Sequence, residues 1–428
     1  MVLAARAGFT LVFIFPLILA VAVHAEDWPQ WRGPNRDGVW SESGILQTFP
    51  PHGLKIRWRA AVGIGFSSPV VAGGRVFVTD SELAKPKARE RVHAFDAATG
   101  KPLWSYTYDV NYPDIAFDEK YLRGPIATPV AADGRIYTLG ASGNVFCLEA
   151  VKGSVLWRKD LLKEYPGSDL CPSPSPLIEG DLLILLVGAK PGASVIALNK
   201  HTGKHVWKAL DEGATASSPV VITSAGTRQL IVWTDRSVTA LAPATGNTLW
   251  RQQLNTTQDA AVSTPVYHDG YLLIGGLMMK LDQNKPGAVI LWPQSRATAR
   301  RVLSDTSTAL FRDDHIYSAR SFGEFVCLDA KTGKQLWETD KVTDRKSGAS
   351  VHPTVIGGSV LLYNDGGELI RAQVTSTGYH EVSRARVLEP AVTFSGRKCA
   401  WAAPAYANRH IYARTNRELV CASLATEP

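Results

Sequence analysis

Five cysteines in 428 residues, no two of them adjacent, do not make a disulfide framework, and one at least stays unpaired. Cys147, Cys327 and Cys421 occupy one slot in three similar segments, Val-Phe-Cys-Leu, Phe-Val-Cys-Leu and Leu-Val-Cys-Ala. A buried thiol there acts as a small hydrophobe. No Gly-x-Ser-x-Gly elbow is present and no His is set to activate a hydroxyl, so nucleophilic hydrolysis lacks its machinery. His201-x-x-x-His205 has metal spacing, but it straddles the Thr202-Gly203 turn, where two rings need not converge; the chain offers no metal site. Lys and Arg are spread through turns instead of forming a stripe interleaved with aromatics, which argues against nucleic acid. Long apolar runs are also missing. The stretch Leu11 to Val23 is broken by Pro16 and short for a spanning helix. With Arg6 before it and Val23 and Ala25 after, residues 1–25 read as a secretory signal cleaved after Ala25. The expected protein is periplasmic or secreted and does not span a membrane after cleavage. A composition of 45% hydrophobic and 20% charged residues excludes disorder, and a net charge of +7 is a mild excess.

What the sequence does have is a repeat. Asp329-Ala-Lys-Thr-Gly-Lys-Gln-Leu-Trp337 recurs as Asp96 to Trp104, Glu149 to Trp157, Asn199 to Trp207 and Ala242 to Trp250, each between two short apolar runs. The Asp or Asn bonds its own backbone two residues on and Gly supplies a positive φ, so each copy predicts a strand, a tight turn and a strand carrying a Trp. Ahead of these lie eight openings, most of the form small-small-Pro: Ser67-Ser-Pro, Ala127-Thr-Pro, Pro174-Ser-Pro, Ser217-Ser-Pro, Ser263-Thr-Pro, Ser307-Thr-Ala, Val351-His-Pro and Ala402-Ala-Pro. Four short strands per unit, eight times over, predict an all-β, eight-bladed propeller. The last unit stops after three strands. Leu54 to Arg59 reads as the missing fourth, so an N-terminal strand closes the ring. The domains are thus a signal at 1–25, an irregular Trp-rich arm at 26–53 whose indoles pack on the body, and the propeller at 54–428.

This unit, apolar-Asp-x-x-Thr-Gly-x-x-x-Trp in eight blades, resembles the PQQ-like β-propeller repeat family. Its members include pyrroloquinoline quinone dehydrogenases and the propeller lipoprotein of the outer-membrane β-barrel assembly machinery. The resemblance implies that Trp58, Trp104, Trp157, Trp207, Trp250 and Trp337 dock between neighbouring blades. It also implies two functions from different classes. One is a non-catalytic binding or assembly scaffold; the other is a quinone-dependent dehydrogenase of alcohols or sugars holding PQQ with Ca²⁺. The dehydrogenases' adjacent cysteines and calcium ligands have no counterpart here, so the scaffold is the expectation, with no catalytic residue and no confident cofactor.

Two blades depart from the rule. In the fifth, Trp292 aligns with a third strand and Arg300 or Arg301 falls at the Trp slot; in the seventh, Val382 falls there. One connection stands out by length. Trp104 to the next blade's Pro takes 25 residues, against 12 after Trp207, and the extra stretch Tyr106 to Arg123 reads as an aromatic, acidic loop over the channel mouth. Around that mouth the expected ligand residues are Arg123, Asp169, Glu212, Asp259, Asp305, Lys346, Lys398 and Trp401. They would meet a protein partner or a small polar or saccharide ligand at the propeller face.

Overall fold

The computed structural model describes residues 26–118, 124–254, 261–293, 302–304, 306–346, 348–394 and 397–426. Eight antiparallel four-stranded sheets follow one another along the chain. Blade six is representative, with strands Leu310–Arg312, His315–Ala319, Phe325–Asp329 and Gln335–Thr339. Blade eight takes Ala405–Ala407, His410–Arg414 and Glu418–Ser423 from the end of the chain and Ile56–Ala61 from its start. The ring therefore closes as the truncated last repeat requires.

Each fourth strand skips one residue immediately before the docking slot, so that Cys327 faces Trp337 while Leu328 faces Gln335, and the same bulge recurs in all eight blades. A bulge bends the strand and re-aims the side chain that follows it. Here it turns the indole toward the next blade. The Nε1 atoms of Trp58, Trp104, Trp157, Trp207 and Trp337 donate to the carbonyls of Ala97, Ala150, Lys200, Pro243 and Thr375, each in the following blade's hairpin, at 2.8–3.1 Å. The ring of Trp58 lies flat on Gly100, where φ is +71° and a Cβ would sit 2.5 Å from Cδ2. Glycine is required at that turn both for its dihedral and for the indole. Trp250 differs, because blade five's turn lacks Thr-Gly; it donates to Gln229 of its own blade at 2.7 Å.

Blade five corrects the sequence expectation. Its third strand is Leu277–Leu281 and its fourth is Ala288–Trp292, so Trp292 is itself a docking residue. Its indole donates to Ala330 at 2.9 Å and covers Gly333. Asp282 to Gly287 and Gly287 to Trp292 are each one residue longer than in the signature, which hid the match; Arg300 and Arg301 lie outside the described residues. In blade seven the register puts Ser383, not Val382, opposite Arg371 at the slot. Ser383 Oγ accepts from the amide of Phe49 at 2.9 Å, and Phe49 is buried in the core cluster that joins blades seven and eight. The long connection after Trp104 opens as strand. Pro102–Val110 carries Tyr106 and Tyr108 against Phe146 of blade two, Asp114–Phe117 is a 3-10 turn, and residues 119–123 lie outside the described residues.

The small-small-Pro openings stitch the inner strands together. Ser68, Thr128 and Ser175 donate their amides to the hydroxyls of Thr128, Ser175 and Ser218 at 2.9–3.1 Å, and Thr264 does the same to Thr308. The arm threads the axis inside this ring. Trp28 bridges Val71 of blade one, Pro29 accepts from Ala131 of blade two, and Arg36 donates to Ser175 and Pro176 at the start of blade three. Trp31 reaches Thr264 of blade five at 2.8 Å, Val39 and Trp40 pair with Val355 of blade seven, and Trp40 packs on Tyr406 of blade eight.

Replacing Trp292 by Ala removes a docking contact and is expected to cost about 3–5 kcal/mol. Hydrogen exchange should quicken at the Asp329 to Lys334 turn of blade six, whereas Val382→Ala leaves every hairpin's exchange unchanged. Protection of that turn in the Trp292 variant would refute the docking role.

Candidate functional site

Antiparallel strands divide the turns between two faces. The signature hairpins share one face with the first-to-second-strand turns, and the connections between blades share the other with the second-to-third-strand turns. On this connector face five of the eight ligand residues expected from the sequence are described, and they stand in different surroundings. Glu212 is buried at 3% exposure, where it accepts from Ser237 Oγ at 2.8 Å and from Thr234 Oγ1 and the Arg251 guanidinium. It braces blade four instead of facing a ligand. Asp169 is exposed on the connection into blade three, Lys346 on that into blade seven, and Lys398 on a separate hairpin, Val392–Phe394 and Arg397–Cys399, before blade eight. Trp401 lies against Phe66, 6.2 Å between ring centres, and its carbonyl meets His352 Nε2 at 3.0 Å. Arg123, Asp259 and Asp305 fall outside the described residues.

What does converge on this face is a cleft of about 700 Å³ between blades six, seven and eight, which takes in Lys398. Its floor is a buried pair. Asp365, at the turn after blade seven's second strand, accepts from Arg397 at 2.6 Å, Thr343 Oγ1 at 2.8 Å and the Ser350 amide at 3.0 Å. Burial alone would lower the Arg397 pKa, but Asp365 more than offsets this and holds it above the usual value. One wall is the fourth strand of blade seven, Gly378–Arg386, longer than its counterparts in most blades. Arg384 there donates to both Glu381 oxygens at 2.7–2.8 Å and to Glu368 at 3.0 Å, which keeps its guanidinium charged. Lys341 and Lys398 stand exposed on the rim. Such a surface has fixed charges on a braced frame and meets polar partners without rearranging.

The sequence reading missed three further charged groups buried toward this face in and beside blade one. Asp80 accepts from Arg91 at 2.7 and 3.0 Å and from the Gly63 amide, and lies 3.1 Å from His93 Nε2. Burial pushes its pKa up, but these partners outweigh it and hold the carboxyl well below the ordinary range. Arg414 of blade eight, fully buried, donates to the carbonyls of Thr79 at 2.6 Å and Gly63 at 2.7 Å, fastening blade eight to blade one. Glu90 accepts from Tyr108, from Tyr112 at 2.5 Å and from the Ala141 amide at 2.9 Å; burial pushes its carboxyl up. The available signal was a lone charge at the end of an apolar strand, as in Val76-Phe-Val-Thr-Asp80 and Tyr412-Ala-Arg414.

A quinone and its calcium do not fit the residues present. Trp28, Trp31 and Arg36 of the arm occupy the axis among the described residues, and a cavity beside Trp28 and Trp31 measures about 20 Å³, room for one water-sized occupant. Among the described residues no three His, Cys, Asp or Glu side chains group to hold a metal. His201 and His205 turn to different partners, Asp181 and Glu164.

The family model described as outer membrane protein assembly factor BamB matches residues 52–116, 88–287 and 234–422. The chain belongs to that family. A BamB from Burkholderia pseudomallei is 28% identical over 242 residues, 54% of this chain and 59% of that protein. The chain thus matches about three fifths of the length of the curated BamB relatives. Two solved structures share the fold. BamB from Moraxella catarrhalis superposes with a TM-score of 0.57 at 17% identity, covering 86% of this chain and 99% of that one. The quinohemoprotein alcohol dehydrogenase of Comamonas testosteroni gives 0.63 at 14% identity, covering 94% and 81%. The BamB structure and the dehydrogenase structure therefore share the propeller fold with this chain.

The depressed Asp80 pKa has a direction in stability. Its contribution is present above the unfolded carboxyl value near 4 and is lost as pH falls toward the lower folded value. Urea unfolding should show the wild type losing about 1 kcal/mol more than Asp80→Asn between pH 5 and pH 3. Equal losses would mean that Asp80 is not held ionised by its partners.

Proposed function

We propose that this chain is a non-catalytic, protein-binding scaffold acting in outer membrane protein assembly, as its BamB relatives are named. The observation that carries the reading is the occupied axis: the arm fills the place where a propeller of this kind would admit a flat cofactor. Binding then falls to the connector face, where the cleft between blades six and eight presents Lys341 and Lys398 on a frame braced by Arg397–Asp365 and Arg384–Glu381. A protein loop with exposed carboxylates suits it. The chain is taken to be exported, with residues 1–25 removed and the remainder in the periplasm or secreted. Among the described residues no helix is long and apolar enough to cross a membrane.

Crosslinking of the tagged protein in cells, followed by mass spectrometry, should return outer membrane assembly components with crosslinks at Lys341 or Lys398. Lys341→Glu with Lys398→Glu should weaken that association at least tenfold and flatten its salt dependence, with Tm unchanged. Dye-linked alcohol oxidation by the pure protein after addition of PQQ and Ca²⁺ would overturn the scaffold reading in favour of a dehydrogenase. Partner capture unaffected by the double charge reversal would retain the scaffold and move its binding site off the cleft.

A further inference from the structure

The hydroxyl ring around the axis breaks at blades seven and eight. Ala403 stands, like His352 of blade seven, where the other six openings carry Ser or Thr, and the Ser68 hydroxyl next to it, 3% exposed, has no hydrogen-bond partner. It lines the small axial cavity together with Thr308, His352, Trp28, Trp31 and Arg32. At about 20 Å³ the cavity has room for one water or one monatomic ion.

The arm brings two guanidinium groups to or beside it, while the carboxylates that act on its lining are Asp37 on Arg32 and Asp365, itself paired with Arg397, on His352. Arg32 donates to the carbonyls of Arg36 and Asp37, and Arg36 to those of Ser175 and Pro176 and to the Gln30 amide oxygen. These acceptors are all neutral. Arg36 Nε is buried without a partner, and the guanidinium's pKa is pushed down to about 9, by burial first and then by Arg32. The carboxylate that acts on Arg32 belongs to Asp37, which is exposed to solvent. His352 adds no charge near neutrality, since burial pushes it down to about 4. Two cations held in the axis against carbonyl dipoles, beside a hydroxyl whose proton has no acceptor, call for a negative charge. A water satisfies the hydroxyl and leaves the charge uncompensated.

We propose that the axial cavity binds one monatomic halide, of chloride size, between the Arg32 guanidinium and the Ser68 hydroxyl. The ion ties the arm to the blade one and blade eight edges of the ring, so halide concentration sets how firmly the arm is seated. The site is separate from the partner cleft and stands whether or not that cleft binds protein.

Crystals of the protein soaked in bromide should show one anomalous peak between Arg32 and Ser68. Tm should rise by about 2–4 °C with chloride at a hundredfold excess over Kd, relative to gluconate at equal ionic strength. Arg32→Gln should abolish the rise. Ser68→Ala, whose hydroxyl makes no protein contact, should fold normally and reduce it, which keeps the test open if the Arg32 variant is unstable. Cavity density without an anomalous signal, bromide peaks confined to the surface, or equal Tm in the two salts would overturn the proposal.

Discussion

The indole that leaves one blade and bonds the next blade's hairpin carbonyl is the constraint on which the propeller depends. Blades in a ring touch neighbours through their faces, and a sheet face alone fixes distance better than rotation. A bulge, an aimed Trp and a Gly at positive φ fix rotation as well, because the indole plate and its N–H must both find their places. In blades two, six and eight the same rung runs through the sheet as Tyr, Cys and Trp: Tyr317 opposite Cys327 opposite Trp337, and likewise Tyr137, Cys147, Trp157 and Tyr412, Cys421, Trp58. The cysteines are small residues under an indole. Burial pushes their thiol pKa values up, which leaves them unreactive near neutral pH.

Where the indole rule is broken, another element takes its place. Blade seven has Ser383 at the slot, and the amide of Phe49 in the arm bonds it there while Arg371 donates to Leu46 at 2.6 Å and Gln47 at 2.9 Å. The arm thus does two jobs with one segment. Its first part fills the axis and its second replaces a missing docking residue before the chain enters blade eight. Ring closure, axial filling and the repair of blade seven are consequently coupled through about two dozen residues that have no regular secondary structure of their own.

That coupling is a property of the arm and is not written in the blades. The dehydrogenase fold and the BamB fold overlay it comparably, because overlay measures blades. Function resides in what the blades leave unfilled. Here the axis holds aromatic and guanidinium side chains, and polar surface is concentrated on the connector face beside blade seven. The buried ion pairs under that face, Asp365 with Arg397 and Asp80 with Arg91, hold their turns in single positions, since neither partner of such a pair can be released without leaving an uncompensated charge.

Read alone, the sequence determined the blade number, the all-β class, the closure by a strand read at Leu54 to Arg59 and found at Ile56–Ala61, and the docking positions of most tryptophans. Each of these follows from local chemistry: Gly at a turn, a Trp at fixed spacing after it, and a repeat count that leaves one strand short. Trp292 escaped because two extra residues, one on each side of Gly287, shift the spacing, and Ser383 because register is settled by pairing along the whole strand. Glu212 was expected at a mouth and is a brace, since which way a charged side chain turns depends on Thr234, Ser237 and Arg251 arriving from other strands. Above all, only the tertiary structure placed the Trp-rich arm in the axis. An irregular segment carries no period to read, and its position is decided by contacts with blades hundreds of residues away.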